Sequence, residues 1–425
     1  MFKKVRVGII GLGTVGSALV KLLKEKQKFI RQNFWLDIEI AKVCDKNPSC
    51  RKTAAIYKVP FSQRWKDVVE DSHIDIVVEL VGGLGVAYDI IKKAIGAKKA
   101  IVTANKALLA EKGEKIFSSI RAKKVPFGME ASVCGGIPII KSISEEIILA
   151  GIRNIYGVLN GTTNYILSTM TKENKDFSPA LKQAQKEGLA EANPALDIKG
   201  EDSRHKIALL SFLSFGFLPP LKDIKCAGIE NIEKLDIQYA QELGFTIKLL
   251  AVAKKEGRQV ELRVQPALIP QEHPLAKTYG AYNAVFINTQ KAGNFLFYGL
   301  GAGGEATASA VLSDILNISL GRPLPLPPPP QKIHLIKPKE VLSRYYIRFQ
   351  AKDQPGVLAE ISKILASFKI SIASVTQKQQ AKSTFVPIVM LTHKAVEGNV
   401  AEALRKIDRL SFIKPPTHLI KIEDI

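Results

Sequence analysis

Hydrophobic positions in the first 130 residues alternate between two spacings. Short continuous apolar runs are typical of strands buried on both faces, and the segments between them carry apolar residues at helical intervals. This alternation predicts a parallel β-sheet with helices on both faces. The predicted strands are Val5–Ile10, Ile38–Val43, Ile74–Leu80 and Ala100–Thr103, and the predicted helices are Ser17–Lys28, Ala87–Ile95 and Ala107–Ile120.

Residues 131–320 follow a different pattern, in which longer helical stretches are mixed with strand-like runs. The composition of these segments predicts a mixed α+β domain. The predicted helices are Ile139–Leu149 and Asp202–Leu213, and the predicted strands are Ile152–Leu159, Gln259–Pro266 and Ala284–Thr289.

Six prolines fall within the eight residues from Pro323 to Pro330. Such a run excludes a helix or a central strand and favours an extended, semi-rigid spacer. A proline-rich recognition ligand is the alternative, but a linker over residues 321–340 is favoured because a folded module follows.

The last segment, residues 341–425, repeats strand and helix patterns in the order βαββαβ, which is the ferredoxin-like order. Apolar residues recur at helical spacing through Val357–Phe368. The other predicted elements are the strands Arg344–Ala351, Ile370–Gln377, Thr384–Thr392 and Thr417–Ile422 and the helix Glu397–Leu410. The expected domains are therefore 1–130, 131–320 and 341–425.

Composition agrees with this division. A chain of 425 residues with 46% hydrophobic and 24% charged residues is typical of a globular protein of about three domains, and it excludes a disordered or fibrous chain. No apolar run reaches the ~18 residues of a membrane span, and the start lacks the pattern of a signal peptide, so we expect a cytoplasmic protein. The four cysteines form no metal-binding pair and are expected to be buried, inert thiols.

The formal net charge of +21 raises the question of nucleic-acid binding. The basic residues are, however, spread along the chain in pairs such as Lys92 and Lys93, without a basic tail or interleaved aromatic residues. A lysine-rich solvated surface is the favoured interpretation, so no specific nucleic-acid partner is expected.

Three glycines, Gly11, Gly13 and Gly16, follow the first strand and open the first helix. This GxGxxG arrangement predicts a Rossmann-type, doubly wound dinucleotide-binding domain. In this motif the first glycine permits the tight turn, the second lets the pyrophosphate approach the backbone, and the third permits close packing of helix and strand.

Asp45 ends the second predicted strand, 29 residues after Gly16. A carboxylate at this position favours the free ribose 2′-hydroxyl of NAD over the 2′-phosphate of NADP. Lys46, Arg51 and Lys52 lie nearby and could reverse that preference. We therefore expect NAD, with NADP as the alternative.

Two later segments are rich in polar residues that suit a substrate site. Residues 158–165 include Asn160 and Thr162, whose amide and hydroxyl groups could orient a small polar molecule, although an Asn/Thr-rich helix start is the alternative. Asp202 and Lys206 are four residues apart on one helix face, which is also the spacing of an ordinary surface ion pair.

Taken together, these stretches resemble the homoserine dehydrogenases, and the last module resembles an ACT domain, a small-molecule-binding regulatory module. The resemblance covers nearly the whole chain. It rests on GLGTVG (11–16), VELVGG (78–83), VTANKALLA (102–110), EASVCGGIPII (130–140), LNGTTNYIL (159–167), GLAEANPALDIKGEDSRHK (188–206), GLGAGGEATASAVLSDI (299–315), DQPGVLAEIS (353–362) and ISIASVTQ (370–377).

The resemblance implies reversible hydride transfer between a nicotinamide cofactor and L-aspartate 4-semialdehyde, giving L-homoserine in threonine, methionine and isoleucine biosynthesis. It implies that Lys206 and Lys106 are catalytic, with Lys206 as proton donor, a task that a lowered lysine pKa would favour. Its implied substrate-binding residues are Glu191, Asp202, Asp197, Asn160 and Thr162. Its implied cofactor-binding residues are Gly11, Gly13, Thr14, Val15, Gly16, Asp45, Thr103, Lys106 and Gly303.

The resemblance also implies a sodium site made mainly of backbone oxygen atoms at Glu130, Val133, Gly135 and Ile137. Oxygen ligands suit such a hard cation. One departure from the family pattern is Ala306, which stands where the family usually has proline.

In the ACT module, the resemblance implies an amino-acid effector, often threonine, at Asp353, Pro355, Gly356 and Val357. Pairing of such modules would support a homodimer or homotetramer. The rival functions are a cofactor-binding regulator without turnover and an enzyme acting on another semialdehyde. The presence of both Lys106 and Lys206 argues against the regulator.

Overall fold

The structure, a computed structural model, describes residues 2–328, 332–378 and 384–425. Its first sheet has six parallel strands in the order β3-β2-β1-β4-β5-β6, which confirms the predicted doubly wound domain. The elements are β1 (Lys3–Ile10), α1 (Thr14–Phe34), β2 (Leu36–Cys44), α2 (Arg51–Ile56), β3 (Phe61–Ser62), α3 (Lys66–Val69), β4 (Ile76–Glu79), α4 (Val86–Gly96), β5 (Ala100–Thr103), α5 (Lys106–Lys123) and β6 (Phe127–Gly128).

The middle segment is mixed α and β, as predicted. Its strands contribute to a second, much larger sheet. The elements are α6 (Ile139–Lys141), β7 (Ile152–Val158), α7 (Gly161–Glu173), α8 (Phe177–Lys186), α9 (Ala195–Ile198), α10 (Glu201–Phe215), β8 (Lys225–Cys226), α11 (Lys234–Glu242), β9 (Phe245–Glu256), β10 (Gln259–Pro270), β11 (Tyr282–Thr289), β12 (Asn294–Leu300) and α12 (Gly304–Ser319).

The helix predicted over Ile139–Leu149 is not continuous. An α-helical turn over Ile139–Lys141 passes into a π-helical turn over Ser142–Glu146 and then a 3₁₀ turn over Ile147–Ala150. The hydroxyls of Ser142 and Ser144 donate to the carbonyls four residues earlier. Such side-chain bonds compete with the regular helical pattern.

The last helix of the middle segment, α12, packs against α1 of the dinucleotide-binding domain. Ala308, Val311 and Ile315 of α12 belong to the same apolar core as Leu19 and Val20 of α1. The chain therefore returns to its first domain before it enters the proline-rich segment.

The described part of the proline-rich segment, residues 321–328, runs without helix or strand along the molecule. Leu324 N–H donates to the Phe127 carbonyl, and Arg121 donates to the Pro327 carbonyl. Residues 329–331 of the predicted linker lie outside the described ranges.

The last module has the predicted βαββαβ order with one additional short strand, β17, and a further short strand, β13, precedes it within the predicted linker. Its sheet is continuous with that of the middle segment because β18 pairs with β10, at Lys421 against Ala267 and Ile422 against Leu268. The elements are β13 (His334–Leu335), β14 (Leu342–Lys352), α13 (Val357–Ser367), β15 (Ile372–Gln377), β16 (Phe385–Thr392), β17 (Ala395–Val396), α14 (Glu397–Ile407) and β18 (His418–Ile422).

Two further observations concern the cysteines and the membrane-crossing capacity of the helices. All four cysteines are free; Cys44 and Cys134 are buried as expected, but Cys50 and Cys226 are only partly buried, so the expectation of four buried thiols is wrong for these two. Over the described part of the chain, no helix has both the length and the apolar character needed to cross a bilayer.

Candidate active site

Asp202 and Lys206 lie at the start of α10, and both side chains are only 7% exposed. The helix begins after Gly200, whose φ of 84° lies in the left-handed region that favours glycine. Lys206 Nζ lies 2.7 Å from Asp202 Oδ2 and donates to the Leu159 carbonyl at 2.6 Å. Because the pair is buried, it is not an ordinary surface ion pair.

Lys106 reaches the same carboxylate from the other domain. It is the first residue of α5, and its Nζ lies 2.7 Å from Asp202 Oδ1. Its side chain is 40% exposed, in contrast to that of Lys206. The two lysines named in the sequence analysis are therefore brought together across the domain boundary by one carboxylate.

The electrostatics of this cluster differ from the expectation. Burial is the largest influence on the Lys206 pKa and lowers it, but the Asp202 carboxylate reverses this effect, so the pKa is raised. Burial likewise acts to raise the Asp202 pKa, and the two lysines outweigh it and hold the carboxylate in its charged form. The Lys206 pKa is therefore raised, and the lowering that would favour a proton donor is not found.

Asn160 links the two lysines to a second carboxylate. Its amide donates to Asp197 Oδ1 at 2.7 Å and to Asp202 Oδ2 at 2.9 Å, and its side-chain oxygen caps α7 by accepting from Thr163 N–H. Burial raises the Asp197 pKa, and the charge of Asp202 acts in the same direction. Asn160, Asp197 and Asp202 thus form one hydrogen-bonded group beside the amines.

Thr162 lies beside the Asp197 carboxylate, whereas Glu191 lies further out. The Thr162 hydroxyl donates to the Leu189 carbonyl at 2.7 Å, which ties α7 to the segment that precedes Glu191. The Glu191 side chain is exposed, and within the described ranges its carboxylate makes no hydrogen bond or ion pair. The structure therefore does not bring Glu191 into contact with the lysine cluster.

The glycine turn lies at the carboxyl end of β1. A Cβ on Gly16 would lie 1.9 Å from the Gly11 carbonyl oxygen, so only glycine allows this approach of helix and turn. In the described chain nothing lies within 4 Å of a Cβ placed on Gly13, and no side chain caps the start of α1. Open space beside free helix N–H groups suits a pyrophosphate, so these residues fit a dinucleotide.

The start of α12 flanks this turn. A Cβ on Gly304 would lie 2.9 Å from the methyl group of Thr14, and Val15 packs in the same core. Gly303, with φ of 123°, is the residue from which α12 begins. Ala306 lies in the first turn of this helix, next to Gly136.

Asp45 follows β2 and contacts the glycine turn directly. Its Oδ2 accepts from Leu12 N–H at 2.7 Å, and its Oδ1 accepts from Asn47 N–H at 2.8 Å. Asp45 therefore shapes the turn in addition to any contact with a ribose.

Two residues of this region were not singled out by the sequence analysis. Glu79 is buried at the end of β4, where it accepts from the Thr103 hydroxyl at 2.6 Å and from Val81 N–H. Asn105 caps α5 and donates to the Gly83 carbonyl. These bonds fix the loops after β4 and β5 and thereby position Lys106. In the sequence, the only indication of Glu79 and Asn105 was their place within the motifs VELVGG and VTANKA.

The candidate sodium ligands lie in an irregular segment between the domains. Both carboxylate oxygens of Glu130 accept backbone N–H groups, from Ile140 and Lys141, and burial raises the Glu130 pKa to about 7. The buried Asp314 accepts from Glu130 N–H at 2.8 Å. Burial raises the pKa of both carboxyl groups, so a nearby cation would stabilise their charged forms; the segment with Val133, Gly135 and Ile137 follows Glu130 directly in the chain.

The residues named for a regulatory ligand lie at an exposed turn. Asp353, Pro355 and Gly356 are exposed, while Val357 is buried and begins α13. Asp353 Oδ1 accepts from the Gln377 amide at the end of β15.

Comparison with known proteins places the chain in a family. Family models match it as "Homoserine dehydrogenase, NAD binding domain" over residues 11–130, as "Homoserine dehydrogenase" over residues 138–316 and as "ACT domain" over residues 345–410. The homoserine dehydrogenase of Helicobacter pylori is 41% identical over the full length of both chains. The chain belongs to the homoserine dehydrogenase family. It is an oxidoreductase with a domain for a nicotinamide dinucleotide.

Solved structures agree with this assignment. A homoserine dehydrogenase from Thiobacillus denitrificans is 38% identical, has a TM-score of 0.93 and covers 100% of this chain and 99% of its own. A hyperthermophilic archaeal homoserine dehydrogenase in complex with NADPH is 25% identical with a TM-score of 0.65, and it covers 76% of this chain and 99% of its own.

Proposed function

We propose that this member of the homoserine dehydrogenase family interconverts L-homoserine and L-aspartate 4-semialdehyde in the biosynthesis of threonine, methionine and isoleucine. The observation that carries the proposal is the shared contact of Lys106 and Lys206 with Asp202, beside Asn160 at the polar start of α7. A carbonyl reduction needs a proton donor beside a bound nicotinamide, and this cluster supplies one.

In the proposed mechanism, Lys206 donates a proton from Nζ to the developing alkoxide when the semialdehyde is reduced, and accepts it when homoserine is oxidised. The bound dinucleotide supplies or accepts the hydride. Asp202 keeps Lys206 protonated until the proton is required, and Lys106 adds a second positive charge near the substrate oxygen. Asp197 and Glu191 meet the substrate ammonium, and Asn160 and Thr162 position their loops.

For the cofactor we propose NAD over NADP. The support is Asp45, whose negative charge adjoins the turn and opposes a 2′-phosphate. The archaeal relative in complex with NADPH shows that the family accommodates the alternative. Measurement of kcat/KM for both cofactors decides the matter, and a higher value with NADP would contradict the role of Asp45.

We also propose sodium at Glu130, Val133, Gly135 and Ile137. Two buried carboxyl groups, Glu130 and Asp314, lie beside this segment, and because burial raises the pKa of each, a bound cation would stabilise their charged forms. Activity measured in sodium, potassium and choline chloride at equal ionic strength would test it, since choline is too large for such a site.

For regulation and assembly, we propose a cytoplasmic homodimer or homotetramer in which the ACT domain responds to threonine at the Asp353–Val357 turn. The exposed apolar side chains of Leu296, Tyr298 and Leu300 on the edge strand β12 support self-association.

The decisive experiment is homoserine oxidation followed by nicotinamide absorbance, with each cofactor and with or without threonine. The proposal predicts turnover that depends on homoserine. Cofactor binding without turnover would instead favour a regulator, and turnover unchanged by threonine would remove the proposed inhibitor.

A further inference from the structure

Asn283 is a buried amide at the start of β11, beside the loop that leads from β7 to α7. In the antiparallel pairing of β11 with β7, Ala284 is opposite Val158, so Asn283 lies next to Leu159 where the pairing ends. The residue is only 1% exposed. No role proposed above involves it, yet a buried amide is costly unless its hydrogen bonds compensate for the loss of water.

The Asn283 side chain shares a hydrogen-bond acceptor with Lys206. Its amide nitrogen donates to the Leu159 carbonyl at 2.8 Å, and the same carbonyl oxygen accepts from Lys206 Nζ at 2.6 Å. A carbonyl oxygen has two lone pairs, so these two donors use its full capacity. The Asn283 nitrogen also donates to the Cys134 sulfur at 3.6 Å. Asn283 therefore holds the carbonyl group that holds Lys206.

The Lys206 ammonium has three N–H groups, and the protein binds two of them. One donates to the Leu159 carbonyl and another to Asp202 Oδ2. Among the described residues, the third N–H has no acceptor. Because the N–H bonds of an ammonium group are arranged at fixed angles, two occupied directions determine the third. The third N–H is the one that remains for a substrate oxygen.

The loop between β12 and α12 packs directly on the Asn283 amide. A Cβ on Gly301 would lie 1.9 Å from the amide nitrogen and 2.5 Å from the amide oxygen, so only glycine leaves room for this side chain. The loop continues to Gly304, where a Cβ would lie 2.9 Å from the methyl group of Thr14 in the glycine turn. The amide thus lies between the loop that adjoins the glycine turn and the carbonyl that holds Lys206.

Packing alone does not explain an asparagine at this position. The Asn283 amide oxygen is buried and has no hydrogen-bond partner within the described ranges. An unpaired buried oxygen lowers stability, and a leucine of similar shape would avoid that cost. The N–H groups are therefore the part of the side chain that the site uses.

From these contacts we propose that Asn283 is a positioning residue for proton transfer by Lys206. Its amide fixes the Leu159 carbonyl, and this carbonyl together with Asp202 directs the remaining N–H of Lys206 toward the substrate oxygen. In the reductive direction that N–H bond breaks, its electron pair stays on Nζ, and an O–H bond forms on the developing alkoxide. Asn283 itself exchanges no proton. The inference deepens the proposed function and rests on it.

Two variants separate the amide from its packing. Asn283→Ala removes the donor and leaves a void. In the double variant Asn283→Ala/Gly301→Ala, the added methyl group occupies the space that the amide has vacated. Gly301 is not among the glycines with positive φ, so alanine suits its backbone. The matched control is Asn288→Ala, which removes an exposed asparagine side chain from the same strand.

Both Asn283 variants should have kcat lowered by about 10- to 100-fold, with a nearly unchanged KM for homoserine. A misdirected proton donor slows the chemical step without weakening substrate binding. The double variant should regain part of the unfolding temperature that the single variant loses, while its kcat stays low; Asn288→Ala should keep a normal kcat. If kcat recovers in the double variant, Asn283 acts only through packing and the proposal is wrong.

A measurement without turnover tests the same link. In protein with ¹⁵N-labelled lysine side chains, the Lys206 ammonium resonance is identified by its absence in Lys206→Met. Asn283→Ala and the double variant should both shift this resonance, because the Leu159 carbonyl is no longer fixed. Asn288→Ala should leave it in place. An unchanged Lys206 resonance in Asn283→Ala would overturn the proposal.

The two readouts together separate this proposal from the proposed function. An active enzyme in which both Asn283 variants keep a normal kcat contradicts only the role of Asn283. A protein without homoserine turnover whose Lys206 resonance shifts in Asn283→Ala contradicts the proposed reaction and supports the link between the two side chains.

Discussion

Asp202 is the residue on which the candidate active site depends, because it is the shared counter-ion of two lysines from different domains. Each of its oxygens lies 2.7 Å from a different ammonium group. A buried carboxylate between two cations stays charged, and it keeps the buried Lys206 protonated. This is the state required of a proton donor in the reductive direction.

Replacing Lys206 with methionine should lower kcat by about 10²- to 10⁴-fold, the usual contribution of a positioned acid or base. The methionine retains the apolar part of the side chain, and Asp202 remains paired with Lys106. Steady-state kinetics in both directions would measure the effect. Lys199→Met, an exposed lysine in the same segment, should leave kcat unchanged; a near-normal kcat for Lys206→Met would refute its assignment.

Asp202→Asn should change the pH dependence of semialdehyde reduction. In the unsubstituted enzyme the raised pKa keeps Lys206 protonated, and the rate falls only as pH rises through that pKa. Without the carboxylate the lysine pKa falls, so the rate should decline at a lower pH. Glu201→Gln removes a neighbouring, more exposed charge on the same helix and should leave the profile in place; identical profiles for all three proteins would contradict this electrostatic role.

At the level of elements, hydrophobic spacing predicts those that bury one continuous face, whereas α8, α11, α12, β9 and β12 of the middle segment were not predicted. The strand Ala100–Thr103 agrees residue for residue with its prediction, and α1 is longer than predicted at both ends. The interrupted turns after Pro138 could not be predicted, because Ser142 and Ser144 alter the backbone pattern without altering the apolar periodicity. The role of Glu79 depends on contacts between two loops, and local sequence does not encode them.

The glycine turn gives a prediction with two contrasting variants. Gly16→Ala would force a methyl group against the Gly11 carbonyl, so it should destabilise the protein by about 1–3 kcal/mol. Gly13→Ala meets open space and should fold normally, but its methyl group lies where a pyrophosphate would approach the backbone. Thermal unfolding without cofactor and NADH binding by fluorescence would separate these effects.

For Gly13→Ala the expected result is an unchanged unfolding temperature with weaker NADH binding, and for Gly16→Ala a lower unfolding temperature. If Gly13→Ala bound NADH normally, the assigned position of the pyrophosphate would be wrong. An undisturbed unfolding temperature for Gly16→Ala would show that the turn relaxes to accommodate the methyl group.

In the whole molecule, the ACT module is joined to the middle domain by a shared sheet as well as by the proline-rich segment. Its βαββαβ order was predictable because every element has local apolar periodicity. The pairing of β18 with β10 was not, because these strands are about 150 residues apart in the chain and their contact depends on long-range packing. The ion pairs at this interface also lack a sequence signal, because Glu423 pairs with Arg263 and Lys254, which are 160 and 169 residues away in the chain.

Substitution of Glu423 tests how much the buried charges of this interface contribute to stability. Its carboxylate is 1% exposed and pairs with the buried Arg263 and with Lys254 of β9. Glu423→Gln leaves two cations without this charged partner in a buried site. Glu261 still pairs with Arg263. We nevertheless expect the free energy of unfolding to fall by about 3–5 kcal/mol. Asp424→Asn removes the neighbouring charge, whose pair with Arg344 is solvent-exposed, and should cost no more than about 1 kcal/mol. Denaturant unfolding of both variants would test this difference. Equal losses of unfolding free energy would contradict the special role of the buried charges. The ACT module would then be held mainly by strand pairing and apolar packing.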